Sequence, residues 1–292
     1  MADSGSAEAG AAELAPHEPG DFDRDTAVQL EEESASTRRF AADVSDGWRA
    51  GRGPHGGYLA AMLLRALTET VAEPARSPRS LTIHYTRAPQ PGPITIETKL
   101  ERVGRSLSTL SARMEQDGRL TALALSAFSV PWSGPEISDI EMPPVAPPED
   151  SREAGSLIKH GAPPFTRHIV LQPRIGGMPF ASAEQPMELG GWLGLAEPRP
   201  LDALALAFFT DALIPAPFMR TPAPNPAPTI DLTIHFRTAL ARDPSPDPHE
   251  LVLAHIRGGL IHEGFFEEDG SIWAADGTLL AQSRQLALLL PS

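Results

Sequence analysis

The sequence LTIHY at residues 81–85 is repeated 151 residues later as LTIHF at residues 232–236. Both stretches are candidate β-strands. A second pair of matching segments lies further along the chain, with DGRL at residues 117–120 and DGTL at residues 276–279, each followed by a long apolar run. Matching segments in the same order indicate that the chain contains two copies of one unit.

A candidate amphipathic helix precedes each repeated strand, and the two helices share one spacing of apolar positions. Apolar residues fall at i, i+3, i+4, i+7 and i+11, counted from Ala60 in the first half and from Leu201 in the second. This spacing is typical of a helix that is buried along one side. Strand candidates joined by glycine-containing turns follow the first helix at residues 81–85, 94–103, 107–114 and 120–130. Consecutive strands of this kind predict an antiparallel sheet.

The predicted fold class is therefore α+β, a double hot-dog in which two tandem units each contain a long helix wrapped by an antiparallel sheet. Residues 131–165 contain eight prolines and no clear period, as expected for a connection between domains. The predicted divisions are a disordered N-terminal tail at residues 1–20, an N-terminal hot-dog at 21–134, a Pro-rich linker at 135–165 and a C-terminal hot-dog at 166–292.

Composition excludes several classes of chemistry. The 292 residues include no cysteine, which rules out disulfides, thiolate metal ligands and a cysteine nucleophile. The nine histidines show no tight ligand spacing, so no metal site is predicted. A net charge of −14 argues against a nucleic-acid binder. Residues 48–119 nevertheless carry eleven Lys and Arg against six Asp and Glu, which fits either a polyanionic small ligand or solvated arginines.

Membrane insertion and export are not expected from this sequence. The longest apolar run spans seven residues at 203–209, far short of the roughly 20 residues that cross a bilayer. Residues 1–20 have neither a basic start nor an apolar stretch, so they do not resemble a signal peptide. We therefore expect a cytoplasmic protein.

Three segments resemble the acyl-CoA thioesterase II-like family of double hot-dog proteins, and the likeness covers residues 25–290 apart from the linker. The segments are HGGY at 55–58 with RAL at 65–67, then IDLTIHFR at 230–237, and IW at 272–273 through DG at 276–277 to AQSRQ at 281–285. The resemblance implies hydrolysis of acyl-CoA to free CoA and a carboxylic acid, without a cofactor. It also implies that a water molecule is the nucleophile and is oriented by an Asp, a Gln and a Ser or Thr.

By this resemblance Asp231 and Gln285 are the candidate catalytic residues. Asp231 would accept a proton from the water, and the amide of Gln285 would fix its orientation. The hydroxyl partner is expected on the strand near residues 251–259, yet no Ser or Thr lies between Pro246 and Gly270. A water or a hydroxyl from elsewhere would have to replace it. Asp211, in the second predicted helix, is a reserve candidate because single-unit hot-dog thioesterases can place an acid on the helix.

The start of the first helix is the predicted oxyanion and substrate-binding region. Backbone N–H groups there lack intrahelical partners and lie at the positive end of the helix dipole. Glycines would let a carbonyl approach closely, although they would equally let the chain turn tightly into the helix. The residues assigned to this region are His55, Gly56, Gly57 and Tyr58.

The repeat also predicts one active site per chain. Shifting Asp231 back by 151 residues gives Ser80, and shifting Gln285 back by 159 gives Ser126, so the two halves do not carry equivalent groups. The alternative function is a non-catalytic acyl-CoA or fatty-acyl binding protein whose site has degenerated, because the hydroxyl is missing. A hydratase is disfavoured since no paired Asp and His of the hydration type is present. The long sheet edges of hot-dog units predict a homodimer or a higher homo-oligomer with a role in lipid metabolism.

Overall fold

The computed structural model describes residues 21–149, 162–240 and 247–291. The predicted tail at residues 1–20 and residues 150–161 of the predicted linker lie outside them. The α-helices in these ranges are α1 (Asp21–Asp25), α2 (Gly56–Val71) and α3 (Ala203–Phe209), and 3-10 turns occur at Asp46–Trp48, Pro164–His168 and Ala216–Met219. None of the helices in these ranges is long and apolar enough to cross a membrane.

The strands divide between the two halves of the chain. Those of the first half are β1 (Gln29–Glu33), β2 (Thr37–Val44), β3 (Arg49–Ala50), β4 (Gly53–Pro54), β5 (Ser77–Tyr85), β6 (Gly92–Val103), β7 (Leu107–Gln116) and β8 (Arg119–Ser129). Those of the second half are β9 (Ile169–Ile175), β10 (Glu188–Leu195), β11 (Thr229–Phe236), β12 (Val252–Arg257), β13 (Ile261–His262), β14 (Phe265–Trp273) and β15 (Leu279–Leu288).

Among the described residues, thirteen strands form one antiparallel sheet, and β3 with β4 forms a separate hairpin. The order in the sheet is β1-β2-β6-β7-β8-β5-β11-β15-β14-β12-β10-β9, with β13 paired to β14. This order is symmetric about the β5–β11 junction, because each of the six first-half strands in this sheet has a counterpart at the same place in the second half. The predicted α+β double hot-dog is confirmed.

The junction between β5 and β11 contains the twofold relation between the halves. The repeat offset of 151 equates Thr82 with Thr233, and these residues lie opposite each other with their hydroxyl oxygens 3.2 Å apart. Leu232 lies opposite Ile83 and Ile234 opposite Leu81, as a twofold axis between the threonines requires. The internal repeat in the sequence therefore corresponds to two structurally equivalent units.

Helix α2 is the central helix of the first unit. His55 caps its start, where the ring Nδ1 accepts a hydrogen bond of 3.3 Å from the Tyr58 N–H. The helix ends at Val71; its C-cap Ala72 has a left-handed φ of 50°, and Pro74 follows. Most of its side chains are buried, including those on the side away from α3, because the sheet curls around it.

Helix α3 is much shorter than α2 and spans only seven residues. Asp202 caps its start by accepting a 2.9 Å bond from the Ala205 N–H. After Phe209 the Thr210 hydroxyl donates to the Ala207 carbonyl, and Pro215 soon follows, so the helix does not continue. The apolar spacing predicted a longer helix, and the shortening leaves Asp211 just beyond the helix end.

A second, smaller apolar cluster lies on the outer side of the second unit. It contains Trp192 and Trp273, with Met142 and Val145 packed against it. The indole Nε1 of Trp192 donates to the Ala146 carbonyl at 2.8 Å. Part of the predicted linker thus packs on the second unit, and the predicted domain boundaries stay a prediction.

Candidate active site

The start of α2 meets the end of α3 at the junction of the two halves. The Gly57 N–H donates to Asp211 Oδ2 at 2.8 Å. A methyl group on Gly57 would lie 2.5 Å from the Phe208 carbonyl oxygen and 3.1 Å from the Asp211 Cβ, so only glycine allows this approach. The Asp211 carboxylate is thereby held against the first turn of α2.

His55 supports Asp211 as a neutral ring. Its Nδ1 accepts from the Tyr58 N–H, so Nε2 carries the proton and donates to the Asp211 carbonyl at 2.9 Å. Burial lowers the pKa of His55 even though the Asp211 carboxylate, 3.8 Å from Nδ1, opposes the shift. The contact between His55 and Asp211 is therefore a hydrogen bond to the backbone rather than an ion pair.

The Asp211 side chain is 14% exposed. Burial raises its pKa, while the His55 ring and the Gly57 N–H oppose part of that rise. Tyr85, at the end of β5, donates its hydroxyl to the Gly56 carbonyl at 2.8 Å. Burial and the charge of Asp211 raise the pKa of Tyr85 well above its ordinary value, so this phenol stays neutral.

Gln285 on β15 lies at the centre of a chain of hydrogen bonds. The Thr229 hydroxyl donates to Gln285 Oε1 at 3.0 Å. Gln285 Nε2 in turn donates to Glu268 Oε2, and Glu268 Oε1 accepts from the Ala216 N–H. The amide of Gln285 is thus held at both ends, with its oxygen toward the threonine and its nitrogen toward the glutamate.

Glu268 on β14 is only 2% exposed. Burial raises its pKa to about 7, although the bonds from Ala216 and Gln285 lower it, and the charge of Asp211 adds to the rise. The Ala216 N–H bond ties Glu268 to the segment that follows α3, five residues after Asp211, and the charge of Asp211 therefore acts on Glu268. Glu268 could not be singled out from the sequence, because it lies in the acidic run 267–269, which is typical of a solvated strand.

The strand register corrects the prediction that Asp231 shares a site with Gln285. Gln285 lies opposite Leu232, which is buried in the core, whereas Asp231 lies opposite Leu286. Directly opposed residues of an antiparallel pair point to the same face, and successive residues point to opposite faces. The Gln285 side chain therefore faces the helices, and the Asp231 side chain faces the other side of the sheet.

Asp231 instead borders a surface pocket of about 440 Å³, together with Leu260, Glu267, Arg284 and Leu286. Gln285 also borders this pocket, but its amide is bonded to Thr229 and Glu268 on the helix side.

The hydroxyl expected near residues 251–259 comes from β11 instead. The pairing of β11 with β15 shifts by one residue between Thr229 and Asp231, so Thr229 lies opposite Ala287. Such a bulge inserts one extra residue, here Ile230, and reverses the facing of the residues before it. Thr229 therefore points to the same face as Gln285, which regular alternation from Asp231 does not predict.

The other predicted substrate-binding residues have mostly structural roles. The Tyr58 hydroxyl donates to the Asp25 carbonyl at 2.7 Å and accepts from the Ser45 N–H at 3.2 Å, which places it in the core. In the first turn of α2, the Gly57 N–H donates to Asp211 and the Tyr58 N–H donates to the His55 ring. The Gly56 N–H has no hydrogen-bond partner among the described residues. In the same part of the chain, no group of His, Asp and Glu side chains is arranged to hold a metal ion.

The first unit lacks the polar cluster. Ser126 lies opposite Leu81 as Gln285 lies opposite Leu232, and Leu81 and Leu232 are repeat equivalents. Ser126 donates to the Ser80 carbonyl at 2.6 Å. The counterparts of Thr229, Glu268 and Gln285 in the first unit are Pro78, Leu110 and Ser126. The cluster therefore occurs once in the described part of the chain.

Comparison with solved structures supports the double hot-dog architecture. A conserved protein with a hot dog fold from Alicyclobacillus acidocaldarius is 25% identical, with a TM-score of 0.80 over 94% of this chain and 99% of the other. The acyl-CoA thioesterase II TesB2 of Mycobacterium marinum is 18% identical, with a TM-score of 0.68 over 93% of this chain and 98% of the other; this similarity shows the fold alone.

An uncharacterized protein of Mycobacterium tuberculosis is 23% identical over 283 residues, covering 86% of this chain and 91% of the relative. Residues 44–129 match the acyl-CoA thioesterase N-terminal domain, and residues 141–289 match the acyl-CoA thioesterase C-terminal domain. The second match alone covers more than half of the chain. This chain therefore belongs to the acyl-CoA thioesterase family.

Proposed function

We propose that the protein hydrolyses acyl-CoA thioesters to free CoA and a carboxylic acid, with water as the nucleophile. The observation that carries this proposal is a set of polar groups at the junction of the halves: a carboxylate bonded to the start of α2, and a hydroxyl and an amide joined in one hydrogen-bond chain to Glu268, which the charge of that carboxylate reaches. These groups belong to Asp211, Thr229 and Gln285. An Asp, a Thr and a Gln are the residue types that the family resemblance implies for orienting the water. We assign the role of the Asp to Asp211 instead of Asp231, and the role of the hydroxyl to Thr229 instead of a residue near 251–259.

The hydrogen bonds leave suitable groups for a water molecule. The Thr229 hydroxyl donates a hydrogen bond to Gln285, so the lone pairs of its oxygen are free to accept a hydrogen bond from the water. Asp211 Oδ2 accepts from Gly57, which leaves Oδ1 to take the second proton of the water. The raised pKa of Asp211 makes the carboxylate a stronger base than an ordinary aspartate.

The reaction then follows in two steps. The water oxygen attacks the thioester carbonyl carbon as its proton passes to Asp211, and a tetrahedral oxyanion forms. The Gly56 N–H and the positive end of the α2 dipole stabilise that oxyanion. The oxyanion collapses, the C–S bond breaks, and the proton held by Asp211 passes to the departing CoA thiolate.

The test is CoA release from short-, medium- and long-chain acyl-CoAs, followed with a thiol reagent. We expect release by the wild type, and a loss of about 100-fold or more in Thr229→Val and Gln285→Ala. Ser126→Ala alters the equivalent position of the first unit and should keep wild-type rates. No release by the wild type across the panel would overturn the proposal, and full activity of Gln285→Ala would overturn the assigned site.

The alternative is acyl-CoA binding without hydrolysis, and it rests on the absence of a hydroxyl near residues 251–259. The hydroxyl of Thr229 can supply the missing group, so this reason for the alternative no longer applies. Calorimetric binding of an acyl-CoA whose thioester stays intact would favour it instead.

We further propose that the protein acts in the cytoplasm on acyl-CoA of lipid metabolism. Fractionation of cells that express a tagged chain tests the location.

A further inference from the structure

We propose that Glu268 is a positioning residue: its ionised form sets the direction of the hydrogen-bond chain through Gln285 and Thr229, and its protonation reverses that chain and switches the site off. The inference rests on the proposed function and adds its regulation by pH. It begins from the position of Glu268 at the end of the chain, behind Gln285.

An ionised carboxylate only accepts hydrogen bonds, and this fixes every later bond in the chain. The amide nitrogen of Gln285 must face Glu268, so the amide oxygen faces Thr229. The hydroxyl of Thr229 must then donate to Gln285, and its lone pairs remain to accept a proton from the water. The oxygen of that water keeps a lone pair for attack on the thioester.

A protonated Glu268 has a donor of its own, which favours the opposite orientation of the Gln285 amide. The amide nitrogen then faces Thr229, and the threonine oxygen accepts from it. The hydroxyl proton of Thr229 turns toward the water and engages the lone pair that attack requires. The same side chains thus hold the water in a productive or an unproductive orientation, according to one proton.

The surroundings of Glu268 favour proton uptake near neutral pH. Asp211 beyond the end of α3 and Glu267 on the same strand both add negative charge, and burial raises the pKa of Glu268 to about 7. Gln285 on β15 and the Ala216 N–H are neutral. The arginines of the flanking strands, Arg257 on β12 and Arg284 on β15, both lie opposite Asp269 and therefore point to the other face of the sheet.

The experiment compares the pH dependence of kcat/KM in the wild type, Glu268→Gln and the control Glu267→Gln between pH 5 and 9. We expect the wild-type value to fall about tenfold per pH unit below an apparent pKa near 7. Glu268→Gln should lose the part of this limb that belongs to Glu268, so that only the fall from protonation of the base Asp211 remains, and it should be less active at pH 8, since an amide no longer fixes the direction. Glu267→Gln, whose carboxylate accepts from the Gly259 N–H on the outer face, should keep the limb.

A measurement without turnover separates this inference from the proposed function. The side-chain amide resonances of Gln285, assigned by their loss in Gln285→Ala, should shift between pH 6 and 8 in the wild type and not in Glu268→Gln. An unchanged acidic limb in Glu268→Gln, or amide resonances that do not respond to pH, would overturn the inference. Amide titration in a protein that releases no CoA would instead overturn the proposed function.

Discussion

Replacing Glu268 with Gln removes a carboxylate that is 2% exposed and forms no ion pair among the described residues. Its ordinary pKa is 4.5 and its pKa in the fold is about 7. Each pH unit between the two values corresponds to about 1.4 kcal/mol. Above pH 7, keeping Glu268 ionised therefore costs the folded state on the order of 3 kcal/mol.

The sign follows from the raised pKa. The folded protein binds this proton more tightly than the unfolded chain, so the contribution to stability is complete below pH 4.5 and is lost as the pH rises to about 7. Glu268→Gln does not ionise, and its free energy of unfolding should exceed that of the wild type by about 3 kcal/mol at pH 8. At pH 5 the difference should shrink to about 1 kcal/mol or less.

Urea unfolding at pH 5 and pH 8 measures both differences, with Glu267→Gln as the matched control because its carboxylate lies on the outer face. We expect the control to track the wild type at both pH values. A Glu268→Gln variant that is no more stable than the wild type at pH 8, or whose advantage is the same at pH 5, would refute the reasoning about this buried charge.

Three further predictions concern packing and assembly. Gly57→Ala should lower the free energy of unfolding by about 1–3 kcal/mol, because its methyl would lie 2.5 Å from the Phe208 carbonyl oxygen. Urea unfolding measures this change. A gain of about 1 kcal/mol, which is usual for Gly→Ala within a helix, would contradict the tight packing of Gly57. Asp23→Asn should cost about 1 kcal/mol at pH 7, since Asp23 bonds Arg65 and Arg199 at 2.7 and 2.8 Å. Burial alone would raise the pKa of Asp23, but the arginines lower it overall. The deficit should therefore shrink as the pH falls below the ordinary pKa and vanish only below the lowered pKa of the folded state; a deficit that does not shrink in acid would exclude the ion pairs as its cause. Light scattering should give at least twice the mass of one chain, and a monomer alone would contradict self-association.

The fold was predictable because the two copies of the duplicated unit still share recognisable sequence segments. Strands β5 and β11 carry nearly the same five residues, and they pair across the twofold axis at Thr82 and Thr233. The apolar spacing also located both helices. The length of α3 was not predictable from that spacing, because buried apolar residues continue to Ala212 after the helix has ended at Phe209.

The candidate site was only partly predictable, because it depends on one bulge. Gln285 was identified from the resemblance, and it lies in the polar cluster. Asp231 faces outward by regular alternation from the buried Leu232, whereas the pairing shift after Thr229 turns the threonine toward the helices. A comparison of the halves offered a clue, since the same shift occurs between Pro78 and Ser80, but a register shift is visible only once the strands are paired.

Glu268 needed the tertiary structure for a different reason, and the sequence offered Asp211 only as a reserve candidate within the second predicted helix. Asp211 follows a helix end and gains its role only from contact with Gly57, 154 residues away in sequence. Glu268 stands between two other acidic residues, and only the pairing of β14 with β15 places it opposite Gln285. Long-range contacts of this kind have no local signal in the sequence.

The most direct measurement compares CoA release by Asp211→Asn and Asp231→Asn, two equal changes on opposite faces of the second unit. If water is activated beside α2, Asp211→Asn should lose about 100-fold or more in kcat/KM, while Asp231→Asn should stay within about twofold of the wild type. Loss of activity in Asp231→Asn with Asp211→Asn unaffected would contradict the account.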